Sequence, residues 1–178
     1  TYLGSAHQEN FESLEAKCRE KIILFHDAET IVYNGDDEIV SKVVGEYHDY
    51  KGEKLYWSQK DAEAPFFIKN IEKKNDLTIV TYIYKGEEDS YSLPFIDEAS
   101  VTNSIISAVV SRKLGLSAED VDKRMSLLEP VAMRLEVKEG QHGCTLINDS
   151  YNSDINSLDI ALDFMSRRPD HKGRRHTL

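Results

Sequence analysis

Between Lys54 and Leu93 the chain leaves helical spacing for short runs in which apolar and polar residues alternate: Leu55 to Trp57, Phe66 to Ile68, Leu77 to Tyr84 and Ser90 to Leu93. Side chains two residues apart share one face of a strand, so runs of this kind bury one face each. Breaks at Gly52, at Lys73 to Asp76 and at Gly86 to Glu88 fit hairpin turns, which predicts an antiparallel sheet. The segments on either side repeat their apolar residues at helical spacing, so the sheet is expected as an insertion in an α/β domain. With 40% hydrophobic and 30% charged residues the chain can build a packed, slightly thin core and is not of the disordered class.

Ser13 suits the N-cap of a helix whose apolar face is Leu14, Cys18, Ile22 and Phe25. Glu29 to Tyr33 reads as a short buried strand stopped by Asn34, Gly35, Asp36 and Asp37, and a helix over Glu38 to Tyr47 follows. Asn103 to Leu114 carries Ile105, Ile106, Val109 and Val110 on one broad helical face, with Gly115 as the stop. Ser117 with Asp120 resembles a capping box for a helix reaching Leu128, and Pro130 marks a domain boundary. Two strands, Arg134 to Val137 and Cys144 to Asn148, come next, and Asp149-Ser150 opens a helix bearing Leu158, Ala161, Leu162 and Met165.

A net charge of -10 argues against nucleic acid or an anionic membrane as partner, since both demand a basic surface. It does not exclude a nucleotide, whose phosphates are held by a few placed amides and cations. Cys18 and Cys144 are too few and too far apart for a disulfide framework or a zinc cluster, which points to a reducing cytoplasm. No apolar run approaches the ~20 residues of a membrane span. A start at Thr1 without methionine and an end at Leu178, where a new strand is beginning, are expected of a piece of a longer protein.

Three stretches, in order, resemble the Mur ligases of bacterial cell-wall synthesis. The first runs from Gly4 through Ala6, His7, Glu9 and Phe11 to Lys21 and is similar to the family's Gly-x-Ala-His-x-Glu-x-Phe segment with a lysine fourteen residues after the histidine. The resemblance implies that His7 binds Mg²⁺ and that Lys21 is carbamylated to a carboxylate that helps hold the metal. One straight helix would separate the two residues by about 21 Å, so the Ser5 to Phe11 turn must fold back beside the helix. On the residues alone His7 also fits a metal-free turn and Lys21 a solvated lysine.

The second stretch, Leu93 to Ile105, is similar to a family pattern in which asparagines contact adenine. Asn103 matches one asparagine and Ser100 stands in place of the other; a serine N-cap and an exposed first-turn residue read these two positions equally well. The third resembles the family most closely: Arg134-Leu135, then Asn148-Asp149-Ser150-Tyr151-Asn152, then Ser157-Leu158 and Ala161-Leu162. It implies nucleotide contacts by Arg134 and, towards the ribose, by Asp149. Departures from the pattern are Asn148 for an aspartate, Asp154 for an asparagine and Ile155 for a proline. Tyr33 to Asp36 resembles the family's Asn-x-Asp strand end, which implies that Asn34 and Asp36 lie near the nucleotide, although a turn of this composition needs no function.

The resemblance implies an α/β fold: residues 1–130 as the latter part of a central ATP-binding domain with an antiparallel strand insertion, and residues 131–178 as the beginning of a Rossmann-like C-terminal domain. The Asp-Ser-Tyr-Asn wording points to the branch that joins D-alanyl-D-alanine to UDP-N-acetylmuramoyl-tripeptide through an acyl phosphate, with ATP and Mg²⁺. Ala6 to Glu15 is similar to the version fused to an alanine racemase, which would place a racemase domain outside this chain. No Gly-rich loop ending in Gly-Lys-Ser/Thr occurs in the sequence, so the chain alone is expected to be inactive and to have negligible affinity for ATP. Another Mur-type or folylpolyglutamate-type ligase, or a non-enzymatic α/β binding module, are the alternative readings.

Overall fold

The computed structural model describes residues 11–74, 77–129, 136–150 and 155–167. The chain forms two compact units, Thr1–Leu127 and Leu128–Leu178. In the first, Ser13 ends its extended approach by accepting the Ala16 N–H, as its N-cap composition predicts, and α1 spans Leu14–Ile23. Strand β1 (Thr30–Asn34) leads to α2 (Glu38–Glu46), whose N-cap is Asp37: its carboxylate accepts the N–H groups of Ile39 and Val40 at 3.1 and 3.0 Å. Strands β2 (Glu53–Ser58), β3 (Phe66–Lys74), β4 (Leu77–Tyr84) and β5 (Glu87–Leu93) follow, then α3 (Glu98–Lys113) and α4 (Ala118–Met125).

The strands make one mixed sheet in the order β1-β2-β3-β4-β5. β3, β4 and β5 pair antiparallel, as the alternating runs predict, but they continue the sheet of β1 and β2. The break at Gly52 is not a hairpin turn: β1 and β2 are parallel, in register from Thr30↔Glu53 to Asn34↔Trp57, because α2 supplies the crossover between them. Gly52 sits instead where the chain squeezes past Tyr50, with whose phenol a Cβ would collide. β2 and β3 are also parallel but pair only at Trp57↔Phe66 and Ser58↔Phe67, so residues 59–65 step sideways and need no crossover helix. The turn between β4 and β5 places Lys85 at φ 54 and Gly86 at φ 81, the doubly left-handed geometry that suits the twist of a tight hairpin.

Two cores result. On one face, Leu55, Trp57, Phe66, Ile68, Val80, Tyr82, Tyr91 and Leu93 pack against Val101, Ile105, Ala108 and Val109 of α3 and Val121 and Met125 of α4. A register shift between Ile68 and Asn70 interrupts the alternation of β3. The second core joins Cys18 and Ile22 of α1 to Val40, Val43 and Val44 of α2, with Ile31 and Tyr50. Helix α3 starts five residues before the predicted Asn103, because Asp97 and not Ser100 is its N-cap and accepts the Ser100 N–H at 2.8 Å. Gly115 at φ 94 ends it: its N–H reaches Arg112 O and that of Leu116 reaches Ser111 O. Ser117 caps α4 through the Asp120 N–H, yet the helix stops at Met125, short of Leu128.

In the second unit, β6 (Glu136–Glu139) and β7 (Thr145–Asn148) pair antiparallel through a turn with His142 at φ 59 and Gly143 at φ 72, and α5 spans Ile155–Arg167. Residues 149 and 150 are not themselves helical, and the stretch between them and Ile155, on which the predicted helix opening at Asp149-Ser150 turns, lies outside the described residues. Among the described residues no helix is long and apolar enough to cross a membrane.

Two tyrosines in the larger core differ in one respect that can be measured. Burial pushes the Tyr82 phenol up to about 12, and its hydroxyl makes no hydrogen bond among the described residues. The Tyr91 hydroxyl lies 3.0 Å from Ser104 Oγ. An unsatisfied buried hydroxyl costs about 1–3 kcal/mol, whereas a satisfied one contributes about 1 kcal/mol. Tyr82→Phe is therefore expected to raise the urea midpoint of the first unit and Tyr91→Phe to lower it, each by the equivalent of about 1 kcal/mol. Loss of the Asp37 cap in Asp37→Ala is expected to destabilise by about 1 kcal/mol in the same assay.

Candidate functional site

In parallel α/β sheets ligands gather beyond the carboxyl ends of the strands, where side chains from successive turns converge. Here that edge is formed by the ends of β1 and β2. Gly35 follows β1, with its N–H donated to Trp57 O at 2.8 Å and its own carbonyl accepting Ser41 Oγ at 2.8 Å. A Cβ at Gly35 would meet the Tyr56 ring at 2.5 Å, so the turn needs glycine for this approach. Asn34 Oδ1 accepts the Asp36 N–H at 2.9 Å, an Asx-type turn. Both oxygens of Asp36 are engaged by the β2–β3 loop: one accepts the Ser58 hydroxyl, the other the Gln59 N–H at 2.7 Å. Ser58 is buried and its oxygen also accepts the N–H groups of Lys60 and Asp61. Tyr56 donates to Asp61 at 2.9 Å, and that bond, followed by burial, raises its phenol above the ordinary value.

Asn34 and Asp36 are thus brought together. Ser100 and Asn103 lie three residues apart near the start of α3, on one side of the helix, the first half-buried and the second exposed. Lys21 stands half-buried in the last turn of α1, where its charge lowers the neighbouring Cys18 thiol; burial and the Asp37 carboxylate outweigh it, and the thiol is raised. The structure buries Lys17, one turn earlier, more deeply, with its ammonium 5.9 Å from the centre of the Phe11 ring. Phe11 thus lies beside α1, while the rest of the Ser5 to Phe11 turn expected to fold back lies outside the described residues. His7 and Arg134 lie outside the described residues.

In the second unit Asp149 follows β7 directly and is half-buried. Its neighbour Asn148 sits opposite Glu136 across the β6–β7 pair and donates Nδ2 to that carboxylate at 3.3 Å, while Ser150 Oγ donates to Asn148 Oδ1 at 2.8 Å. An aspartate at 148 would set two carboxylates against each other, which gives the departure at this position a physical reason.

Among the described residues no group of three or more His, Cys, Asp and Glu could hold a metal ion. A cavity of about 540 Å³ is lined by Glu53, Leu55, Pro65, Tyr84, Lys85 and Lys113. It opens at the start of β2, away from the residues singled out above. Sequence reasoning missed Ser58, Gln59 and Lys17. Only the i, i+4 spacing of Lys17 from Lys21 could have drawn attention to that residue; nothing local marks the other two.

With this geometry in place, the comparisons with known proteins converge. The Mur ligase middle domain family matches residues 1–111. The chain is 23% identical to the UDP-N-acetylmuramoyl-tripeptide--D-alanyl-D-alanine ligase of Bacillus subtilis, over 91% of this chain and 34% of that protein. Among solved structures, MurF from Acinetobacter baumannii superposes with a TM-score of 0.75 at 19% identity, over 93% of this chain and 36% of the other. The MurF ligase of Thermotoga maritima, solved in complex with ADP, superposes with a TM-score of 0.70 at 21% identity, over 93% and 38%. At these identities the structural likeness establishes the fold, and the chain spans about a third of the length of the relatives it matches. The family match covers more than half of the residues, including α1, the whole mixed sheet and most of α3: the chain belongs to the Mur ligase family and carries part of its middle domain.

Proposed function

We propose that this chain is part of an ATP-dependent amide ligase that joins D-alanyl-D-alanine to UDP-N-acetylmuramoyl-tripeptide in the cytoplasm. The observation that carries the reading is the reach of the likeness to the Bacillus subtilis ligase: it extends over 91% of the chain and so enters both compact units. On this reading residues 1–130 are an incomplete central ATP-binding domain and residues 131–178 the beginning of a Rossmann-like C-terminal domain. The run Asp149-Ser150-Tyr151-Asn152 favours this branch over other Mur-type ligases and over folylpolyglutamate synthase.

The reaction transfers the ATP γ-phosphoryl group to the tripeptide carboxylate, with ADP leaving. The amine of D-alanyl-D-alanine then attacks the acyl carbon, and phosphate departs as the amide forms. His7 and Lys21 are the candidates to hold Mg²⁺, which when bound would offset charge on the phosphate oxygens. An ammonium repels a cation, so this role requires Lys21 as its carbamate, a carboxylate-like oxygen donor of the kind Mg²⁺ prefers. On the resemblance, Ser100 and Asn103 are the candidates to contact adenine, Arg134 and Asp149 are further candidates for nucleotide contact, and Asn34 and Asp36 are expected near the nucleotide.

The test is phosphate release by the full-length enzyme. It is expected to require ATP, UDP-N-acetylmuramoyl-tripeptide and D-alanyl-D-alanine together, and to fall at least about a hundredfold in Lys21→Ala, as when a group stabilising transition-state charge is removed. Turnover with an amino-acid acceptor in place of the dipeptide would assign the chain to another branch. The 178-residue chain alone, which contains no Gly-Lys-Ser/Thr loop, is expected to show neither turnover nor ATP binding in a calorimeter.

A further inference from the structure

The turn after β1 is pinned on every side but one. The Gly35 N–H is bonded to Trp57 O, the Asp36 N–H to Asn34 Oδ1 and the Asp37 N–H to Asn34 O. The Asp36 carboxylate is closed by the Ser58 hydroxyl and the Gln59 N–H. Ser58 is in turn tied to the loop that follows it, accepting from Lys60 N–H at 3.0 Å and Asp61 N–H at 2.8 Å. The Asn34 carboxamide has its oxygen committed, so the plane of the amide is set, and its NH2 makes no hydrogen bond among the described residues. That NH2 is a directed donor at the carboxyl edge of two parallel strands, where acceptor-bearing ligands are bound.

We infer that Asp36 and Ser58 are positioning residues: they hold in place the amide of Asn34, the nucleotide contact proposed above, and do not themselves touch the ligand. The inference rests on the nucleotide reading above and changes the part of Asp36 in it: with both carboxylate oxygens engaged inside the chain, this side chain acts through Asn34. Ser58 enters as a residue the ligand never meets. Its hydroxyl both donates to Asp36 and accepts from the β2–β3 loop, so removing it leaves the carboxylate held by the Gln59 N–H and loosens the turn.

The experiment measures KM and kcat of the full-length ligase for each substrate in Asn34→Ala, Ser58→Ala, Ser58→Thr and the double variant Asn34→Ala/Ser58→Ala. Loss of one directed hydrogen bond is expected to raise KM for ATP about tenfold in Asn34→Ala and in Ser58→Ala, with kcat within about twofold and KM for the other two substrates unchanged. Ser58→Thr keeps the hydroxyl and is expected to restore most of the affinity for ATP. Because Ser58 acts through Asn34, the double variant should be no worse for ATP than Asn34→Ala alone. A rise in KM that multiplies in the double variant, or a Ser58→Ala defect confined to thermal stability and kcat, overturns the positioning role. Where Ser58→Ala does not fold, Asn34→Ala decides alone: an unchanged KM for ATP refutes the inference. Failure of the nucleotide reading itself is distinct, since the unsubstituted enzyme would then release no phosphate from ATP.

Discussion

Two residue pairs, Trp57↔Phe66 and Ser58↔Phe67, join the parallel and antiparallel halves of the sheet, and most of the first unit depends on that join. Trp57 and Phe66 are both buried in the larger core, and the Phe66 ring stacks on Tyr82 at 4.6 Å between centroids. Burying an aromatic side chain of this size stabilises by about 1.5–3 kcal/mol, with a stacked pair adding about 0.5–1.5 kcal/mol, so two short pairings suffice where a longer ladder would otherwise be needed. The same join fixes where the candidate site lies, because the loop leaving Ser58 is the one that closes on Asp36.

Charged groups contribute less to holding the unit together. Arg19 bridges Glu15 of its own helix and Glu46 of α2, and Lys42 reaches the other oxygen of Glu15, but all of these side chains are well exposed and such pairs are worth little in water. Arg112 is different: it is mostly buried, donates to Leu116 O and to Asp89, and lies over the Tyr84 ring. With Asp122 of α4 accepting the Ser92 N–H and hydroxyl, it sets how α3 and α4 meet β5. Polar bonds in this part of the molecule specify geometry, while apolar area supplies the stability.

The same division explains the behaviour of the candidate residues. Asp36 has the composition of a ligand contact and the bonding of a structural tie, and the two descriptions are reconciled if it orients Asn34. Lys17 and Lys21 lie one turn apart on α1 and would look alike on a helical wheel. In the folded chain the first is buried, with the Phe11 ring 5.9 Å from its ammonium, and the second is half-exposed.

Much of the fold was legible in the chain. Ser13 and Ser117 announce helix starts through short-range bonds that depend on residues three positions away, and alternation over Leu77 to Tyr84 picks out the buried face of β4 without any knowledge of its partners. The motifs around Ala6, Asn103 and Asp149 pointed to the family for a related reason, since each is a run of neighbours. What the sequence left undecided were pairings between distant residues. A Gly-containing break such as Gly52 reads the same in a hairpin and in a helix-to-strand connection, and only the crossover by α2 made β1 and β2 parallel. Ser58 carries no local mark either: its importance comes from Asp36, twenty-two positions earlier, and that meeting exists only once the sheet has formed. Local patterns set which face of an element seeks burial, whereas the identity of its neighbour is a property of the packed whole.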